Sequence, residues 1–193
     1  MNSICVFCGS SAGSDPAYAG AARLLGRTLA KGGTTLVYGG GHVGLMGVVA
    51  DAALEAGGEV VGVMPRALVE REIGHTDLTK LHVVGSMHER KALMSDLSEG
   101  FIALPGGNGT LEEFFEVLTW AQLGEHGKPC GILNVAGYYD PLLAVFDNMV
   151  GEEFLKPEHR ELVLVEEDPS ILLGRFEIYE PPKTVKWIGE SEK

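Results

Sequence analysis

The segment Pro105-Gly106-Gly107-Asn108-Gly109-Thr110-Leu111-Glu112-Glu113 holds the residues of this chain best suited to chemistry. Three glycines in four positions leave backbone N–H groups uncovered, and a loop of such groups ahead of a helix forms a nest for an anion. Thr110 adds a hydroxyl. The loop is not a P-loop, because no Gly-Lys-Ser/Thr follows. Glu113 has two readings. Thr110-Leu111-Glu112-Glu113 has the spacing of a capping box, which would place Glu113 at the third helical position with a purely structural task. The positive helix end would there favour its ionised form. Beside a bound phosphate, the same carboxylate could stabilise a developing cation.

A second cluster is Ser86-Met87-His88-Glu89-Arg90-Lys91. Ser86 and Glu89 fit a capping box, which puts Arg90 and Lys91 near a helix start. Basic charge there opposes the helix dipole, and a broken local rule often marks a functional site. The use would be to hold an anion; the plainer reading is two solvated cations. His88 stands beside this cluster as an ordinary exposed histidine or a site residue. Gly39-Gly40-Gly41-His42-Val43-Gly44 fits G-x-G-x-x-G between a strand and a helix, which suits close backbone approach to a phosphate near Gly41, or helix packing alone. A dinucleotide site would also want an acid at the end of the next strand. That end reads Val63-Met64-Pro65, which argues against NAD. Gly9-Ser10-Ser11 offers small residues and the Ser10 hydroxyl to a ligand, or a tight turn.

Cys5 and Cys8 form C-x-x-C, but within or at the end of an apolar strand and not at a helix start, and no second pair completes a zinc site. They read as buried structural cysteines. His42, His75, His82, His88, His126 and His159 show no ligand spacing, so no metal is expected.

These residues need elements to position them. Strands are expected at Ser3–Cys8, Thr34–Tyr38, Glu59–Met64, Lys80–Val84, Phe101–Leu104, Pro129–Leu133 and Leu162–Val165. Helices are expected from Pro16 through Ala30, over Leu45–Ala56, Met87–Ser98, Leu111–Leu123, Asp140–Val150 and near Ser170–Arg175, with a short helix and a loop in 66–79. Short apolar strands each followed by a helix indicate a parallel sheet buried on both faces. The expectation is an α/β, doubly wound (Rossmann-like) parallel sheet of six to seven strands with helices on both faces. Residues 1–180 would form one nucleotide-binding domain and 181–193 a polar tail. In such sheets ligands bind outside the carboxyl ends of the strands, and every cluster above follows a strand.

Composition narrows the partners. The chain has 193 residues, 27 of them glycine, and a net charge of −12. An acidic protein repels phosphate polymers, so nucleic acid and polybasic membrane binding are not expected. The charge is uneven: residues 1–109 carry 8 basic and 10 acidic side chains, and residues 110–193 carry 7 and 17. The anion-binding clusters lie in or at the end of the nearly neutral part. No apolar run is long enough for a membrane helix, no secretory signal opens the chain, and three cysteines without a disulfide framework suit a cytoplasmic protein.

Pro105–Glu113 matches P-G-G-x-G-T-x-x-E, and with Met87-His88-Glu89-Arg90-Lys91 the chain resembles the LONELY GUY (LOG) family. The resemblance runs from Cys8-Gly9-Ser10-Ser11 through Gly39–Gly47 to Trp120-Ala121-Gln122-Leu123-Gly124 and Asn134–Tyr139. It implies a phosphoribohydrolase that cleaves the N-glycosidic bond of cytokinin riboside 5′-monophosphates, and in several relatives AMP, releasing free base and ribose 5-phosphate. It implies Arg90 and Glu113 as the catalytic pair, Glu72, Lys91 and Thr119 near the nucleotide, Gly106, Gly107, Asn108, Gly109 and Thr110 as the phosphate loop, a homodimer, and no cofactor. Members long bore a lysine decarboxylase label; no pyridoxal-phosphate lysine constellation is evident here. The alternatives are a non-catalytic nucleotide-binding protein and a general purine nucleoside monophosphate nucleosidase.

Overall fold

The computed structural model describes residues 1–69 and 74–182; Glu72 and the polar tail from residue 183 lie outside the described residues. The strands are β1 (Ser3–Phe7), β2 (Thr35–Tyr38), β3 (Val60–Pro65), β4 (Lys80–Val84), β5 (Phe101–Ala103), β6 (Cys130–Leu133) and β7 (Val163–Glu166). The helices are α1 (Pro16–Lys31), α2 (Gly44–Glu55), α3 (Arg66–Val69), α4 (Met87–Asp96), α5 (Asn108–Leu123), α6 (Asp140–Gly151), α7 (Pro157–Arg160) and α8 (Pro169–Glu177), with a 3-10 turn at Val135–Gly137. The turn and α7 were not expected from the sequence. No helix among the described residues is long and apolar enough to cross a membrane.

The seven strands form one sheet in the order β4-β3-β2-β1-β5-β6-β7, every pairing parallel. Side chains alternate along each strand, and the apolar residues divide accordingly. Ile4, Val6, Leu36, Tyr38 and Ile102 pack on the face covered by α1, α2 and α8. Cys5, Phe7, Val37, Phe101 and Ile132 pack on the face covered by α4, α5 and α6. With both faces covered, a strand gains from apolar residues at every position, which is why the runs lack polar alternation. The three cysteines are buried free thiols.

Two local rules set where helices begin. Asp15 caps α1 by accepting from Ala17 N–H at 2.8 Å, with Pro16 at the first turn. Ser86 caps α4 by accepting from Glu89 N–H at 3.1 Å, while Glu89 reaches back to accept from Gly85 N–H at 2.7 Å. That is the expected capping box, shifted by one residue on the return bond.

From β1 the chain runs outward through β2 and β3 to β4, then returns to the other side of β1 and runs outward through β5 and β6 to β7. A crevice therefore opens between the loops leaving β1 and β5, the switch point at which such sheets bind ligands. The two loops are tied together: Gly9 N–H donates to Pro105 O at 3.0 Å.

Candidate active site

A cavity of about 340 Å³ lies at the carboxyl end of the sheet. The β1 end contributes Cys8, Gly9 and Ser10, the β2 end Gly39, and α2 and α3 the apolar Met46 and Leu68. From α4 come Met87 and Arg90, and from the start of α5 come Gly107, Asn108, Gly109, Thr110, Glu112 and Glu113.

The start of α5 differs from the sequence reading. The helix begins at Asn108, three residues before the expected Leu111, with Gly107 as N-cap and no capping side chain. The Thr110–Glu113 capping box is not formed. Thr110 is buried, and a side chain at Gly106 would meet its hydroxyl, so Thr110 packs under the loop and does not cap the helix. The consequence is chemical. The N–H groups of Asn108, Gly109 and Thr110 begin a 16-residue helix without intrahelical partners, and these three residues line the cavity. A helix start of this kind favours an anion.

Glu113 lies in the second turn of α5, not at its positive tip. Its Oε1 is 3.4 Å from Arg90 Nη1, and the two side chains are 12% and 11% exposed. Burial pushes Glu113 above the ordinary carboxylate range; Arg90 opposes this, Glu112 adds to the rise, Lys91 opposes it, and Glu116 adds to it. The sequence expectation that the positive helix end governs this carboxyl is corrected: Glu113 sits beyond that end, and burial is the largest influence on it.

Arg90 is fixed from three sides. Nε donates to Val63 O at the end of β3 at 3.1 Å, Nη2 to Gly39 O after β2 at 3.4 Å, and Nη1 faces Glu113. A side chain at Gly39 would stand 2.1 Å from Nη2, so the glycine there makes room for the guanidinium. Arginine has five N–H donors, so capacity remains for a group in the cavity.

Lys91 is not a free cation. Its Nζ contacts Glu112 Oε1 at 2.5 Å and Glu116 Oε1 at 3.0 Å. The Glu112 hydrogen bond leads in raising its pKa, against the opposing effect of burial. A lysine held protonated is a poor Schiff-base former, which argues against decarboxylase chemistry at this residue.

The other sequence candidates divide. Ser10 and Gly107 through Thr110 line the cavity, and Gly106 lies just behind it. Gly41 is not among the lining residues; it makes a β-bridge with Gly74. Gly44, at φ +59°, lets α2 press against the backbone of Ser10 and Ser11. The glycine motif after β2 thus serves packing and the seating of Arg90. Thr119 is exposed on α5, its hydroxyl donating to Phe115 O at 2.7 Å, away from the cavity. His88 is exposed and does not line the cavity. Among the described residues no cluster of three His, Cys, Asp or Glu could hold a metal.

A family model described as possible lysine decarboxylase matches residues 46–176. A probable cytokinin riboside 5′-monophosphate phosphoribohydrolase of the LOG group from Oryza sativa subsp. japonica is 50% identical over 176 residues, 91% of this chain and 79% of the relative. The chain belongs to the LOG family. An Arabidopsis thaliana member, a cytokinin riboside 5′-monophosphate phosphoribohydrolase, is 49% identical over 178 residues, 92% of this chain and 82% of its own. Solved structures with the same fold include the molybdenum cofactor binding protein of Rippkaea orientalis, at TM-score 0.68 and 23% identity, covering 93% of this chain and 99% of that one. The molybdenum cofactor carrier protein of Chlamydomonas reinhardtii aligns at TM-score 0.66 and 21% identity over the same shares. At such identities the likeness is one of fold alone.

Sequence reasoning missed two kinds of residue in this LOG-family site. Glu112 and Glu116 stand four apart on one face of α5, a spacing from which joint partners for a cation could have been read. Tyr138 and Tyr139 follow β6, the kind of position where the strand-end rule directs a search, yet their targets lie more than thirty residues away.

Proposed function

We propose that this protein hydrolyses the N-glycosidic bond of cytokinin riboside 5′-monophosphates, and of AMP, to free base and ribose 5-phosphate. The observation that carries the reading is the Arg90–Glu113 pair at 3.4 Å, nearly buried, on the wall of a cavity that also holds the uncapped start of α5.

The 5′-phosphate binds the N–H groups at Gly107, Asn108, Gly109 and Thr110, with the Ser10 hydroxyl in reach of the same cavity. This anchors the substrate away from the reacting bond, and such remote binding energy can be used in the transition state. As the ribosyl C–N bond breaks, positive charge builds on the sugar. The Glu113 carboxylate stabilises that charge and orients water toward C1′. Water supplies a hydroxyl to C1′ and a proton to the departing base. Arg90 does not serve as the acid, since guanidinium does not give up its proton; it holds the nucleotide and fixes Glu113. Met46, Leu68 and Met87 give the cavity an apolar wall suited to a purine.

Glu72 lies outside the described residues, and its place near the nucleotide rests on the family resemblance. Lys91 acts through Glu112 and Glu116. Thr119, exposed and remote from its own cavity, suits a homodimer in which α5 meets a second copy. Three buried free thiols suit a reducing cytoplasm.

The test is the dependence on phosphate. Adenosine 5′-monophosphate and adenosine are compared at equal concentration, with the product base quantified. The reading expects kcat/KM for the nucleoside to fall at least about a hundredfold; equal rates would remove the phosphate loop from the account.

A further inference from the structure

The loop that opens α5 is held by side chains outside it. Tyr138 Oη donates to Gly106 O at 2.6 Å, and Tyr139 Oη to Leu104 O at 2.7 Å. Neighbouring side chains reach the same loop because the backbone turns sharply just ahead of them, with Ala136 at φ +51° and Gly137 at φ +70°. Asn134 fixes that turn, accepting from Tyr139 N–H at 2.8 Å and donating to the Asp140 carboxylate at 2.7 Å. A non-glycine residue held at positive φ costs conformational energy, which the surrounding contacts must offset. The Tyr138 ring also packs edge-on against Tyr18, centroids 5.5 Å apart, and against Tyr139 at 4.9 Å.

Gly107 borders two cavities. On one side lies the candidate active site; on the other is a space of about 290 Å³ bordered by Tyr138 and Gly106. Tyr138 therefore takes the Gly106 carbonyl on the side away from Arg90 and Glu113.

We propose that Tyr138 is a positioning residue for anion binding, holding the Gly106–Gly107 peptide so that Gly107 N–H faces the phosphate site. In a trans peptide the C=O and N–H point in opposite directions, so fixing one fixes the other. Between two glycines that orientation has no side-chain restraint of its own. Turned over, the peptide would present its carbonyl oxygen to the anion, replacing attraction with repulsion. The inference rests on the reading of the α5 start as a phosphate site.

Tyr138→Phe keeps the ring and removes the hydroxyl. KM for adenosine 5′-monophosphate and the inhibition constant of inorganic phosphate should both rise about tenfold, the effect of one lost hydrogen bond, with kcat within about a factor of two. A merely structural role would lower Tm without separating KM from kcat. Unchanged KM and inhibition constant, or a loss confined to kcat, would overturn the proposal. If the wild-type protein cleaves no 5′-monophosphate, the function proposed above fails separately, and calorimetry with inorganic phosphate still decides this one. Tighter binding to wild type than to Tyr138→Phe supports it; equal binding, or none to either, overturns it.

Discussion

Arg90 and Glu113 come from different helices and meet over the ends of β2 and β3, Nη1 to Oε1 at 3.4 Å. Breaking such a pair leaves an uncompensated charge with little solvent around it. The guanidinium keeps two backbone acceptors, Val63 O and Gly39 O, whereas Glu113 depends on Arg90 as its nearest opposite charge.

Glu113→Gln should reduce kcat by about a hundredfold to a thousandfold, the range for loss of one electrostatic stabiliser of a transition state. KM should change little and the circular dichroism spectrum should be that of the wild type. Unaltered turnover would return Glu113 to a structural role.

The proposed mechanism uses the ionised form of Glu113, and burial raises the pKa of that carboxyl. The acid limb of kcat/KM should therefore lie above the ordinary glutamate range, with activity lost as pH falls through it. Glu112 contributes to the rise, so Glu112→Gln should move the limb to lower pH. The sign for stability is opposite. A raised folded-state pKa gives a contribution present below the unfolded value and lost as pH rises through the folded one. Tm of wild type should accordingly fall relative to Glu113→Gln across that interval.

Gly39→Ala places a methyl 2.1 Å from Arg90 Nη2, the far end of a flexible side chain. The fold should accommodate it by moving the guanidinium, so kcat/KM should drop by about tenfold or more with little change in Tm. Arg90→Lys should lose activity too, because a single ammonium on a flexible stem cannot reproduce the planar fork that reaches Val63, Gly39 and Glu113 together.

Lys91→Met releases Glu112, which borders the cavity, and Glu116. KM for the monophosphate should rise by several-fold and the acid limb should move to higher pH. The double variant Lys91→Met/Glu112→Gln should recover part of both. A direct phosphate ligand at Lys91 would give no recovery.

The fold was legible because the central strands β1, β2, β3, β5 and β6 are apolar runs, a pattern that burial on both faces imposes. The strand-end rule then directed attention to Gly106–Thr110, Arg90 and Glu113, and the structure gathers Gly107–Thr110, Arg90 and Glu113 on one cavity. What was not legible depends on packing between distant segments. The start of α5 moves to Asn108 because Gly107 can serve as N-cap while Thr110 is buried against Gly106. Lys91 meets Glu112 across two helices that spacing alone does not bring together. Tyr138 reaches Gly106 only after Ala136 takes an unusual backbone angle. The glycines after β2 matched a phosphate motif, yet a glycine needed for packing and one needed for a ligand look alike in sequence.

The most direct measurement is product analysis after incubating the protein with isopentenyladenosine 5′-monophosphate and, separately, with adenosine 5′-monophosphate. The account predicts free base and ribose 5-phosphate in equal amounts from these substrates. Both nucleotides remaining intact under saturating enzyme would contradict it.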